Sequence, residues 1–236
     1  SAGNQLWVQL NHPGRQCPKI VNKQPLSPSD IHLELLGNFG KPRAMTEADI
    51  QDVIQRFTTS AGLVKKAGFT GLQIHCAHGY LFSQFLSPNI NKRTDQWGGS
   101  LENRARLIFE IVNGIRERCG REFLLGVRLS PERFGMDIEE VKWVCQQLID
   151  KGNIDFLDIS LWDSFKLPHD EKYQNITLLE HFSALDFKQV KWTVAGKISN
   201  AVDVQKILDA GVDFVSIGTS AILHHNFPKL VIENPD

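Results

Sequence analysis

No apolar run in the 236-residue chain approaches the roughly 20 residues that a bilayer-spanning helix requires. Its opening, Ser1-Ala2-Gly3-Asn4, has no basic segment followed by an apolar one. Together these give the expectation of a soluble, cytoplasmic protein without a membrane partner. Excess charge is also missing: 26 basic and 27 acidic residues leave a formal net charge of −1. Such a balance offers no footprint for nucleic acid. Small molecules are the expected partners, and self-association into a homo-oligomer stays open. Cysteine is sparse, and Cys17, Cys76, Cys119 and Cys145 include no Cys-x-x-Cys pair. This argues against a metal cluster or a disulfide framework and for a reducing compartment, with Cys76 a small buried filler.

What the chain does contain is 42% hydrophobic residues, enough for one large core. One domain over residues 1–236 is expected. Leu6–Leu10 reads as a buried strand broken by the turn chemistry of Asn11-His12-Pro13-Gly14-Arg15. Residues 16–45 show no sustained period and read as a long loop. Thr46-Glu47-Ala48-Asp49 has the form of a capping box, opening a helix whose apolar residues Ile50, Val53, Ile54, Phe57, Ala61 and Val64 follow the 3.6 period until Gly68. A strand at Leu72–His75 follows.

Ser100 caps a second helix running to about Cys119. Further strands are expected at Phe123–Leu129, Phe156–Ser160, Val190–Ala195 and Phe214–Ile217. Helices come between them: one capped by Asp137 with Glu140 and ending at Gly152, one over Leu178–Leu185, and one from Asn200 to Ala210. Gly68, Gly152 and Gly211 each sit between a helix end and an apolar strand, where a positive φ is wanted. Strands apolar on both faces that alternate with helices make a parallel sheet covered by helices, and a (β/α) barrel closes it naturally. Six strands are present where a TIM barrel has eight. An open six-stranded α/β sheet satisfies composition alone equally well.

The candidate chemistry centres on the stretch where Leu72–Ile74 runs into His75, His78 and Tyr80. Three proton-capable side chains at one strand end look like the floor of an active site. Two His three apart with no third ligand at metal spacing favour hydrogen-bond donors over a zinc site. A satisfied structural histidine is the plain alternative for either. The last two strands end in Gly196-Lys197 and Gly218-Thr219. Gly admits backbone N–H groups close to an anion, so these loops are candidate phosphate binders; a simple tight turn explains each as well.

The run His75-Cys-Ala-His78-Gly-Tyr80-Leu, then Ser83-Gln-Phe-Leu-Ser-Pro88, Asn91-Lys-Arg-Thr-Asp95 and Gly98-Gly-Ser-Leu-Glu-Asn-Arg104, resembles the signature of the old yellow enzyme family of FMN-dependent ene-reductases and NADH:flavin oxidoreductases. That resemblance implies a (β/α)8 TIM barrel with six of its eight βα units in this chain, so the domain is expected to be N-terminally incomplete, its first strand here being the barrel's third. It implies FMN as cofactor, NADH or NADPH as reductant, and hydride transfer to an activated alkene such as an α,β-unsaturated carbonyl. By resemblance, Gln9 bonds the flavin's pyrimidine edge and Arg128 lies beside N1 and the C2 oxygen. Gly196, Lys197, Gly218 and Thr219 serve the phosphate. His75 and His78 hold the substrate oxygen, and Tyr80 is the proton donor.

One position departs from the pattern. The family usually follows the Gly of the last strand with Arg, and here it is Thr219. Losing a charged hydrogen bond of roughly 1.5–3 kcal/mol weakens FMN on the order of tenfold to a hundredfold unless Lys197 compensates. The competing reading is a non-catalytic or degenerate barrel remnant that binds flavin poorly.

Overall fold

A computed structural model describes residues 4–233. The expected strands form one parallel sheet in sequence order: β1 (Trp7–Leu10), β2 (Gly71–Cys76), β3 (Leu124–Leu129), β4 (Phe156–Ser160), β5 (Lys191–Ala195) and β6 (Phe214–Ser216). Each strand hydrogen-bonds only its neighbours, so the ends β1 and β6 are not paired with each other. The sheet nevertheless curls. In a flat sheet β1 and β4 would lie about 14 Å apart, three strand spacings. The Trp7 and Phe156 rings instead meet at 4.5 Å, and Phe156 lies 6.2 Å from Phe214 of β6. Gly126 and Gly71 make room inside the curl: a Cβ on Gly126 would sit 2.0 Å from the Phe156 ring, and one on Gly71 would press on the Leu124 carbonyl oxygen at 2.6 Å.

The outer face of the sheet is apolar and covered. Leu72, Ile74, Leu125, Val127, Leu157, Ile159 and Val194 are buried in one core with α1 (Glu47–Lys66), α2 (Leu81–Leu86), α3 (Leu101–Cys119), α4 (Ile138–Lys151), α5 (Leu178–Ser183) and α6 (Ala201–Asp209). Two short helices, α7 (Thr219–Leu223) and α8 (Phe227–Glu233), follow. Helix α1 buries Ile50, Val53, Phe57 and Ala61, as the 3.6 period requires, and Thr46 and Asp49 form a complete capping box. Gly68, Gly152 and Gly211 take φ of 89°, 60° and 86°, satisfying the expectation at all three helix-to-strand joints.

Some local expectations need revision. Residues 16–45 contain a two-residue parallel pair, Leu26–Ser27 with Arg43–Ala44. Asp137 caps α4 through the Glu139 N–H, while Glu140 turns away to a two-pronged pair with Arg104. The α5 helix stops at Ser183 rather than Leu185. No helix among the described residues is long and apolar enough to cross a membrane.

Candidate active site

The inward faces of the strands change character along their length. On β4 the three inward positions are Phe156, Asp158 and Ser160, and only the first is apolar. Asp158 is buried and stands beside Arg128 of β3 in the register. Its Oδ2 lies 3.4 Å from Arg128 Nε and accepts a hydrogen bond from Gln73 Nε2 of β2 at 3.1 Å. Gln73 in turn accepts from Gln9 Nε2. A polar layer thus crosses the barrel sector from β1 to β4, above the aromatic floor.

Above that layer the strands end in the mouth. After β2, His78 takes a left-handed φ of 60° and Gly79 one of 75°. A Cβ on Gly79 would lie 2.7 Å from the Phe134 ring, so this turn requires glycine on two counts. The His78 N–H donates to Ser130 Oγ, Gln16 Nε2 donates to the His78 carbonyl, and Gln84 Nε2 donates to the Gly79 carbonyl. Tyr80 then stands at the start of α2 with its ring 5.2 Å from that of His75.

The hydrogen bonds fix which nitrogens carry protons. The Ala77 N–H points at His75 Nδ1 at 3.4 Å, so His75 carries its proton on Nε2. That N–H meets His78 Nδ1 at 3.2 Å, leaving the His78 proton on Nε2, 2.9 Å from Ser160 Oγ. Arg128 donates to the same oxygen at 3.2 Å. Burial, the neighbouring His78 and the Arg128 charge all disfavour the imidazolium and push His75 down to about 4. Burial and then Arg128 lower His78 as well. Burial raises the Asp158 carboxyl, and the facing guanidinium pulls it back.

A cavity of about 320 Å³ opens at the strand ends between β3 and β6. Arg128, Gly196, Lys197, Gly218 and Thr219 all line it, together with Asp158, Ser160 and Trp162. His75, His78 and Tyr80 are not in its wall; the two His are joined to it through Ser160, and Tyr80 packs on His75. Gln9 reaches it only through Gln73 and Asp158. Gly196 also has a packing reason: a Cβ there would crowd Ser164 at 3.0 Å. Gly218 has open space around its Cα. The Lys197 ammonium lies 3.4 Å from Asp163 and is largely exposed, so its charge is shared before any ligand arrives. Thr219 offers a neutral hydroxyl.

The end of β4 carries no motif in the sequence, and this is where the structure adds most. Asp158 and Ser160 link the cavity to the His pair, and Gln73 links it to Gln9. The available signal was polar residues at alternate positions of an otherwise apolar strand, Phe156-Leu157-Asp158-Ile159-Ser160.

Parallel strands that bring a glycine-edged cavity, with Arg128 and Lys197 in its wall, to their C-terminal ends have the arrangement of a (β/α) barrel mouth. The particular lineage follows from comparison. The chain belongs to the NADH:flavin oxidoreductase / NADH oxidase family, whose model matches residues 1–231. It is 32% identical over 247 residues to the NADH oxidase of Thermoanaerobacter brockii, covering 97% of this chain and 36% of that protein. To the probable NADH-dependent flavin oxidoreductase YqiG of Bacillus subtilis (strain 168) it is 31% identical over 242 residues, covering 98% of this chain and 63% of that protein. The structure of morphinone reductase in complex with tetrahydroNAD superposes with a TM-score of 0.82 at 28% identity, covering 99% of this chain and 67% of that one. The fold is therefore a (β/α)8 TIM barrel, six of whose βα units are seen here. The chain spans only 36% to 63% of the length of the two curated relatives. The family description names the NADH and the flavin that the His75–Arg104 motifs implied.

Proposed function

We propose that the protein is an FMN-dependent oxidoreductase that passes hydride from NADH to an activated alkene such as an α,β-unsaturated carbonyl. The observation that carries this reading is the hydrogen-bonded continuity from His75 through His78 and Ser160 to Arg128 at the wall of the 320 Å³ cavity. The cavity's chemistry fits FMN. Asp158 Oδ1 is a buried polar atom without a hydrogen-bond partner, so the wall keeps unspent capacity for a polar ring edge. The two glycine-edged loops present backbone and the Lys197 charge for a phosphate.

When bound, FMN supplies the hydride-transfer chemistry, and the protein's share is orientation and electrostatics. Arg128 brings positive charge to the place where reduction builds negative charge. His75 and His78 stay neutral at pH 7 and act as N–H donors. With one N–H given to the partner ring and the other to Ser160, both donors reach a substrate oxygen only if the pair's own hydrogen bonds are exchanged for it. Tyr80, packed against His75, is the side chain placed to deliver a proton by general acid catalysis.

A second reading, a barrel that holds flavin poorly, is favoured by Thr219 and by the pairing of Lys197 with Asp163. One experiment separates them. Desalted full-length protein should be yellow, be bleached by NADH without oxygen, and regain colour on adding a cyclic enone. A colourless protein that FMN cannot reconstitute would support the second reading. A yellow protein bleached by NADH but not reoxidised by enones would remove the alkene assignment.

A further inference from the structure

Asp158 is the buried carboxylate that the proposed chemistry leaves without a task. It lies at the centre of the sheet, its side chain 5% exposed, with one oxygen on Gln73 Nε2 at 3.1 Å and near Arg128 Nε at 3.4 Å. Its other oxygen and the Arg128 Nε make no hydrogen bond, and both residues line the cavity. A buried acid this poorly satisfied is costly to keep. The fold keeps it beside the guanidinium in the cavity wall, and Gln9 and Gln73 are lined up to hold it there.

We propose that Asp158 is a positioning residue that aims the Arg128 guanidinium into the cavity and offsets part of its charge, thereby setting the reduction potential of the flavin held there. The proposal rests on the FMN reading above. The pair works through two separable effects. The carboxylate holds Arg128 Nε on the β4 side, which leaves the terminal nitrogens for Ser160 and the cavity. Its negative charge, beside the guanidinium in a low-dielectric wall, lowers the positive potential that a ligand's edge experiences. Less positive potential favours the oxidised flavin over the anionic reduced flavin. Gln73 has a graded part: its amide N–H stabilises the charged carboxylate.

The test is the midpoint potential of the flavin bound to the full-length protein, measured by dye equilibration under anaerobic conditions. Asp158→Asn removes the charge and keeps the shape. It should shift the oxidised-to-reduced equilibrium at least about tenfold toward the reduced form, a rise of about 30 mV for a two-electron couple. Asp158→Glu, which restores the charge, should return most of the shift. Gln73→Leu should move the potential in the same direction by less, and it serves where Asp158→Asn yields no folded protein. A purely structural Asp158 would lower flavin content and melting temperature in Asp158→Asn without moving the potential of the flavin that remains. Flavin retained at an unshifted or lowered potential, in Asp158→Asn or in Gln73→Leu if only that variant folds, would overturn the inference while leaving the functional reading intact. A wild-type protein that retains no FMN would overturn both.

Discussion

Phe156 and Ser160 lie on the same face of one strand, yet they belong to different regions of the molecule. At the base, Phe156 packs between Trp7 and Phe214 and against Gly126, so the inward positions hold the curl of the sheet. At the mouth, Ser160 receives hydrogen bonds from His78 and Arg128. The two ends also differ in how their turns are made. The joints that enter strands from below place glycine in the left-handed region at Gly68, Gly120, Gly152 and Gly211, with Lys188 before β5 as the one side chain there among the described residues. Those that leave the strands above put His78, Arg133, Phe134, Trp162 and Lys197 there as well. A side chain in that conformation costs about 1–2 kcal/mol that glycine avoids. The base is built for stability, and the mouth gives some of it up to present side chains.

The largest test of this contrast is Phe156→Ala, which removes the centre of the aromatic floor. It should cost about 3–5 kcal/mol in urea unfolding, because the ring's neighbours cannot all close the gap. A loss under about 1 kcal/mol would show that the floor does not hold the curl.

Next comes the pH dependence of the mouth. The folded state holds His75 near 4 against an ordinary 6.5, so between these values the unfolded chain binds more protons. Stability should therefore be complete above 6.5, fall as the pH drops toward 4, and lose about 3 kcal/mol in all. The lowered His78 adds in the same direction. Denaturant titrations from pH 7 to 4 should show this slope in the wild type and a shallower one in His75→Asn.

How much of this was legible in the sequence follows from the same contrast. The base was readable because its signals are local: short continuous apolar runs, and glycine between helix and strand at Gly68, Gly152 and Gly211. The mouth motif was readable because His75, His78 and Tyr80 stand close together in the chain. What escaped notice depends on pairs far apart in sequence. Asp158 acquires meaning only beside Arg128 and Gln73, and Ser160 only beside His78. Helix α2 was missed because all six of its residues are buried, which erases the amphipathic period. The packing of Gly196 against Ser164 is equally nonlocal, so its glycine signals a close approach as much as a phosphate loop.

A smaller change sharpens the mouth side. Thr219→Arg should tighten FMN by roughly 1.5–3 kcal/mol, about tenfold to a hundredfold, by adding a charged donor to the cavity wall. Equilibrium dialysis of FMN measures it, and unchanged affinity would place the phosphate elsewhere. The smallest expected effect is that of Trp162→Gly. Relieving a left-handed φ of 68° should raise stability by up to about 1 kcal/mol, less whatever the stacking of Arg133 on the indole contributes. A clear fall in the melting temperature would mean that Trp162 supports the fold more than it shapes the mouth.

The most direct test of the division between base and mouth is the FMN dissociation constant of the full-length protein in two variants, Phe156→Leu and Arg128→Lys. Phe156→Leu loosens the floor but should leave the constant within about twofold of wild type, because no ligand group is lost. Arg128→Lys keeps a charge opposite Asp158 but loses the planar fork, and should weaken FMN by about tenfold or more. Equal weakening in both, or weakening in Phe156→Leu alone, would contradict the account.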